Sequence, residues 1–289
     1  MKRIYLILFS FAFVLLPLMS GCAPLPEEGR DEPAADPPAA VPEEKQEKTA
    51  VDLSGKKLIV LGDSITAGVG ADEGGEWWRT TAASLGCADV SADGLAGGCI
   101  SSTAYFAPGS ERPSYAERAA LLPADGDVYL IFGGTNDYAH ASVPGTPDDT
   151  QDTSFCGALS VIAACIREKA PAARIVFITP THRYGNTFRR DGSRMVRDSE
   201  KNDVGAALSD YRDAMIATAE RLGVPFIDAY AFSEFDSSAG QNGSGAFDPN
   251  APGACPYSAD GLHPNAAGHV LLGEKIAEEI KTVFAPAGR

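Results

Sequence analysis

Leu58-Ile59-Val60-Leu61 is an unbroken run of branched apolar residues, and it ends at Gly62-Asp63-Ser64. A strand with one wet face alternates apolar and polar residues, whereas a strand apolar at every position has to be covered on both sides. The run therefore asks for a parallel sheet with helices on each face. It also poses a chemical question, because an acid and a hydroxyl stand where the chain leaves the strand.

Other segments repeat the requirement. Apolar runs at 128–132, 175–179 and 225–228 read as strands, and 88–91 as a weaker fifth. Helical periodicity occupies 77–85, 115–122, 155–169, 204–222 and 266–284. Such alternation builds an α/β fold, a three-layer α/β/α sandwich around a five-stranded parallel sheet. Sites in sheets of this kind lie beyond the carboxyl ends of the strands, which is where Ser64 falls.

The N-terminus stands apart. Lys2-Arg3 precede an apolar run that is shorter than the roughly 20 residues of a membrane span, so 1–21 reads as a secretory signal. The run ends in Leu18-Met19-Ser20-Gly21-Cys22, which resembles the lipobox of bacterial lipoproteins. That resemblance makes Cys22 the lipidated residue; an ordinary signal with an incidental cysteine is the other reading. Residues 22–50 are dominated by Pro, Ala, Glu, Asp and Lys, too poor in apolar surface to fold, and read as an extended tether. Residues 51–289 then form one domain. The net charge of −15 argues against a nucleic-acid groove, which needs clustered Lys and Arg.

A nucleophilic serine needs a base, an acid that holds the base, and donors for the oxyanion. Asp260 precedes His263 by three residues in Ser258-Ala259-Asp260-Gly261-Leu262-His263-Pro264-Asn265. One tight turn brings that carboxylate onto Nδ1 and leaves Nε2 free as base. Pro264 keeps His263 out of the following helix, which Asn265 caps.

Together these blocks resemble the SGNH (GDSL) family of serine hydrolases, in the family's order across the whole domain. Gly62-Asp63-Ser64 looks like its first block, Gly94-Leu95-Ala96-Gly97 its second, Gly133-Gly134-Thr135-Asn136-Asp137 its third and Asp260-Gly261-Leu262-His263-Pro264 its last. The resemblance implies a flavodoxin-like SGNH hydrolase fold and a Ser64–His263–Asp260 triad. It also implies an oxyanion hole made by the Ser64 and Gly97 N–H groups and the Asn136 amide. Thr66 occupies the place of the second glycine of a G-x-S-x-G elbow, which excludes the larger α/β-hydrolases.

Each assignment has a plainer rival. Ser64 either attacks substrate or caps a helix; Asn136 either donates to the oxyanion or closes an Asx-turn. Gly97 and Gly98 also suit a simple turn. Asp63 reads as structural and His269 as a packing residue. Trp77-Trp78 read as core, with an aromatic wall for a sugar or acyl chain as the alternative. His182, beyond a strand end, reads as a rim residue able to touch substrate.

Cys156 and Cys165 lie on one predicted helix, too far apart to bond at about 1.5 Å of rise per residue. Cys99, Cys156 and Cys255 follow strand ends, so any two of them can meet near the site. No metal-ligand spacing occurs, and neither metal nor cofactor is expected. Residues 236–258, rich in Gly, Ser, Asn and Pro, read as a flap over the site.

The expected protein is an extracytoplasmic serine esterase, tethered to a bacterial membrane through Cys22. It cleaves O-acyl esters, acetyl groups on carbohydrate first among them, through an acyl-serine. Its partners are an acylated small molecule or polysaccharide and the membrane. The alternatives are a lipase- or thioesterase-type acylhydrolase, and a non-catalytic glycan-binding lipoprotein of the same fold.

Overall fold

β1 (Lys57–Gly62) lies between β2 (Asp89–Gly94) and β3 (Val128–Phe132), and the sheet continues through β4 (Arg174–Ile178) to β7 (Phe226–Ile227). All four pairings are parallel. The computed structural model describes residues 52–106, 109–236 and 247–285. The signal segment, Cys22, the tether and residues 237–246 of the expected flap lie outside the described residues.

The unbroken apolar run is explained by two cores. Ile59 and Leu61 face one way, with Tyr129, Ile131 and Phe177. They pack against α2 (Tyr115–Ala119), α4 (Phe155–Lys169) and α5 (Leu208–Leu222), through residues such as Ala116, Leu159, Ile162 and Met215. Leu58 and Val60 face the other way, against Trp77 and Leu85 of α1 (Trp77–Leu85) and Leu272 and Ile276 of α6 (Ala266–Val283). Burying each such side chain contributes about 1.5–3 kcal/mol. A surface ion pair is worth about 0–1 kcal/mol, so these two apolar layers fix the architecture. The three-layer α/β/α sandwich with five parallel strands stands as expected.

Some elements differ from the sequence reading. β2 extends to Gly94 because its backbone follows β1 in register, from Lys57↔Asp89 to Gly62↔Gly94. Its side chains are mostly half-exposed, so no apolar run marks it. α5 starts at Leu208 and not at 204, because the Asp210 carboxylate accepts the Ala207 N–H at 2.8 Å and closes the helix start there. α3 (Thr135–Ala139) is little more than one turn, too short to show a period. An antiparallel hairpin, β5 (Tyr184–Phe188) with β6 (Arg194–Arg197), stands outside the main sheet. Trp77 and Trp78 are core residues: Trp77 packs edge-on against Phe132, and the Trp78 indole donates to the Thr66 carbonyl. The aromatic-wall alternative does not hold.

Among the described residues no two cysteines form a disulfide. Cys99 and Cys156 are buried thiols, one against the Gly97 carbonyl and the other against the Ala214 carbonyl. The Cys255 thiol faces the Glu234 carbonyl.

Candidate active site

Four loops at the carboxyl ends of the strands converge. After β1 the chain turns at once, with Ala67 N–H donating to the Asp63 carbonyl and Val69 N–H to that of Ser64. No helix begins at Ser64, so its hydroxyl caps none; its Oγ lies 2.9 Å from His263 Nε2.

The His263 loop is built from its own short side chains. Asp260 Oδ1 accepts the N–H groups of Leu262 (2.9 Å) and His263 (2.7 Å), while Oδ2 meets His263 Nδ1 at 2.7 Å. Partial burial alone raises a carboxyl pKa, but the His263 ring and these two N–H donors outweigh it and hold Asp260 at about 2. Asp260 is therefore ionised, Nδ1 carries the hydrogen, and Nε2 is left to accept from Ser64. Ser258 braces the loop from outside: its hydroxyl donates to the His263 carbonyl and accepts the Gly261 N–H. Residues 247–258 thus include a support for the acid loop.

The donor side comes from β2 and β3. Gly97, at φ 75°, is the third residue of a turn closed by Gly98 N–H on the Leu95 carbonyl at 2.9 Å. Asn136 Nδ2 donates to the Gly98 carbonyl at 3.0 Å, joining α3 to that turn. Among the described residues, the Ser64 and Gly97 N–H groups and the second Asn136 amide hydrogen have no acceptor. Sheet order makes the meeting possible, since β3 and β2 flank β1 and Gly62 is level with both Phe132 and Gly94.

Two carboxylates beneath the site hold backbone. Asp137 accepts the N–H groups of Ile100 and Ser101, at 2.8 and 3.0 Å. Asp63 accepts that of Ile65 at 2.9 Å. Burial raises both pKa values, that of Asp63 to about 6. Asp63 is structural, as read from the sequence. So is His269, whose Nδ1 accepts the Trp77 N–H while Nε2 donates to the Val69 carbonyl.

His182 stands on the rim with its Nδ1 2.7 Å from Asp198, and its ring lies 3.9 Å from that of Tyr230. Burial opposes its charge, but Asp198, with Asp236 and Asp228 beyond, raises its pKa above the ordinary value.

Two arginines escaped the sequence reading. Arg118 donates to the carbonyls of Gly62 and Asp93 and pairs with the Asp93 carboxylate, pinning β1 to β2 where both loops leave the sheet. Arg183 is buried, and its guanidinium donates to the carbonyl and hydroxyl of Thr135 and to the hydroxyl of Thr187. Neither belongs to a motif block. An arginine directly after His182, in a segment following a strand, was the only signal available.

Such an arrangement can carry acyl transfer: a hydroxyl on a base, the base on an ionised acid, and unused donors on the other side. The comparisons agree with that chemistry. The GDSL-like Lipase/Acylhydrolase family model matches residues 60–271. A GDSL lipase of Mycobacterium tuberculosis is 28% identical over 231 residues, covering 76% of this chain and 79% of the relative. A possible lipase from Chitinophaga pinensis is 20% identical with a TM-score of 0.59, covering 80% of this chain and 100% of the other. The aryl esterase of M. smegmatis is 19% identical with a TM-score of 0.52, covering 79% and 100%.

Proposed function

Because the chain belongs to the GDSL-like lipase/acylhydrolase family and is a carboxylic ester hydrolase, we propose that Ser64, His263 and Asp260 are its catalytic triad. Ser64 Oγ attacks the ester carbonyl carbon as His263 Nε2 takes its proton. The Ser64 and Gly97 N–H groups and the Asn136 amide hold the oxyanion. The tetrahedral adduct collapses, Nε2 returns the proton to the departing alcohol, and an acyl-serine remains. Water, deprotonated by the same nitrogen, releases the acid and restores Ser64. Asp260 stays ionised throughout. The observation that carries this reading is the continuous chain from Ser64 Oγ through the His263 ring to Asp260, at 2.9 and 2.7 Å.

The proposed substrate is a short acyl ester, an acetyl group on carbohydrate, with His182 as a rim contact. The two tryptophans able to wall an acyl chain are buried in the core. The apolar recess formed by Ile175, Val224, Pro225, Val283 and Phe284 sits at the opposite ends of the strands from Ser64. The side chain resting against the Gly97 donor is a charged one, that of Arg112. The proposed location is extracytoplasmic, anchored through Cys22, which rests on the signal and lipobox pattern. Two acyl chains suffice for stable anchoring, so Cys22→Ala should abolish partition into a detergent-rich phase.

A fluorophosphonate probe should label the wild-type protein and not Ser64→Ala, whose ester turnover should fall by several orders of magnitude. Retention of a tenth of wild-type turnover would remove Ser64 as nucleophile. A p-nitrophenyl ester series from acetyl upward, beside acetylated xylan and pectin, tests the acyl preference. Faster turnover with longer chains would replace the acetyl reading by a lipase one.

A further inference from the structure

The arginine closest in chemistry to the oxyanion donors is unused by the triad. A Cβ built on Gly97 would lie 3.2 Å from Arg112 Nε and 3.3 Å from its Cζ, so the guanidinium rests against the backbone of the donor residue. Glycine at 97 serves twice: it allows φ 75°, and it leaves room for this side chain. Arg112 is exposed, and one N–H goes to the Ser110 carbonyl at 2.7 Å. Its Cζ is 6.0 Å from the Phe106 ring, which lies 4.4 Å from the ring of His140.

Six arginines on this acidic chain find carboxylates, while others, Arg167 and Arg183 among them, spend donors on carbonyls and hydroxyls. Arg79, Arg118, Arg189, Arg190, Arg212 and Arg221 each sit within 4 Å of a carboxylate. Among the described residues Arg112 has no such partner, although Glu111 precedes it in the chain. A guanidinium has five N–H donors in a fixed fork, and the Ser110 carbonyl occupies one position. The remaining edge is free to take a planar anion bidentately. The formal charge of −15 does not cancel it at short range, since charges beyond about 8 Å are screened at physiological salt.

We propose that Arg112 is a specificity determinant that selects esters carrying a carboxylate within reach of the scissile carbonyl. This rests on the esterase reading above and deepens it. With the carbonyl oxygen at Gly97, the guanidinium stands one residue's width away, ready to hold a carboxylate on the same substrate molecule. One guanidinium charge matches one carboxylate. The carboxylate has two sources, the alcohol side of the ester, as in an acetylated uronic acid, or the acyl side, as in a hemisuccinate.

The experiment compares kcat/KM within two matched pairs. One is an acetylated methyl glucuronoside against its neutral carboxamide; the other is p-nitrophenyl hemisuccinate against its neutral methyl ester. Wild-type enzyme should favour the anionic member of one pair by about tenfold, a preference that shrinks as salt is raised. Arg112→Gln should remove that preference, Arg112→Lys should keep part of it, and Arg112→Glu should reverse it. The pair that responds identifies the side carrying the carboxylate. The ratio within a pair is insensitive to how much protein is folded. No wild-type preference in either pair, or equal losses on both members in Arg112→Gln and Arg112→Glu, would overturn the proposal. Failure of the esterase reading looks different: neither neutral ester would be turned over and the fluorophosphonate would not label Ser64, and the proposal would fall with it.

Discussion

Tyr184 donates its backbone N–H to the Gly261 carbonyl at 2.6 Å, so the hairpin outside the main sheet is bonded to the loop that carries Asp260 and His263. The contact is tight in both directions. Gly261 has φ 84°, and a Cβ there would lie 2.5 Å from the Tyr184 carbonyl oxygen. The loop's conformation is therefore a property of its partner as well as of its own residues.

Gly261→Ala should expose that dependence. A left-handed non-glycine residue costs on the order of 1–3 kcal/mol, and the clash pushes the loop away from Tyr184. Displacement of the triad by about 1 Å is worth about 10²-fold in rate. Turnover should fall by roughly that factor, with a lowered melting temperature, both read on one preparation. Wild-type kcat in Gly261→Ala would show that the hairpin does not set the triad.

Arg183 is the second element of that brace. It is one residue before Tyr184 and grips Thr135, which directly precedes Asn136. Burial lowers its pKa to about 10, and no carboxylate lies within 4 Å of it among the described residues. Arg183→Met should lower the melting temperature, since hydrogen bonds to charged groups are worth about 1.5–3 kcal/mol. It should also cut kcat about tenfold with little change in KM, because Asn136 loses its fixed aim. Arg183→Lys, which keeps the charge but not the fork, should fall between the two. A fall in melting temperature alone would confine Arg183 to stability.

The parts legible in the sequence were those with a period or a fixed spacing. The doubly buried β1 announced its two covering layers, and Asp260 to His263 are close enough for a single turn to join them. The missed parts act through backbone carbonyls and N–H groups. Arg118 on Gly62, Arg183 on Thr135, Ser258 on His263 and Tyr184 on Gly261 are all long-range or irregular contacts. Any donor of the right length can meet a carbonyl, so such partners leave no residue-type signature. The β5–β6 hairpin escaped for a related reason. Its strands carry Gly185, Asn186 and two arginines, Arg194 and Arg197, in place of an alternating apolar face, and its pairing shifts register between Tyr184 and Thr187.

Stability should depend on pH through two carboxyls working in opposite directions. Asp260 is depressed to about 2 from an ordinary 3.8, so its contribution is present above about 3.8 and is lost as pH falls through about 2. Asp63 is raised by burial from 3.8 to about 6, so its contribution is full below about 3.8 and is lost as pH rises through about 6. Asp137, also raised by burial, adds to the second slope. A shift of about two units is worth on the order of 3 kcal/mol. Denaturant midpoints of the wild type should therefore decline from about pH 4 to about pH 6. Asp63→Asn, which stays neutral and can still accept the Ile65 N–H, should flatten that decline. An unchanged slope in Asp63→Asn would assign it to Asp137.

Asn136 tests the oxyanion hole, and its surroundings sharpen the test. One amide hydrogen is committed to the Gly98 carbonyl at 3.0 Å, which orients the amide and leaves the other hydrogen unused. β3, which feeds Asn136, pairs directly with β1, which feeds Ser64. That adjacency is the condition for the amide to reach the carbonyl oxygen. A donor aimed at developing charge acts in the transition state, so its loss falls on kcat and leaves KM nearly constant. Asn136→Ala should lower kcat by about 10²–10³-fold, near 3–4 kcal/mol. Asn136→Asp should be at least as damaging, since a carboxylate would face both the oxyanion and the Gly98 carbonyl with like charge. The bond to Gly98 creates a competing outcome, because its loss also frees the turn that presents Gly97. A purely structural Asn136 would then lower the melting temperature while kcat in the folded fraction stays near normal. Measuring kcat, KM and melting temperature on the same Asn136→Ala sample separates the two, and a normal kcat beside a lowered melting point would take Asn136 out of the mechanism.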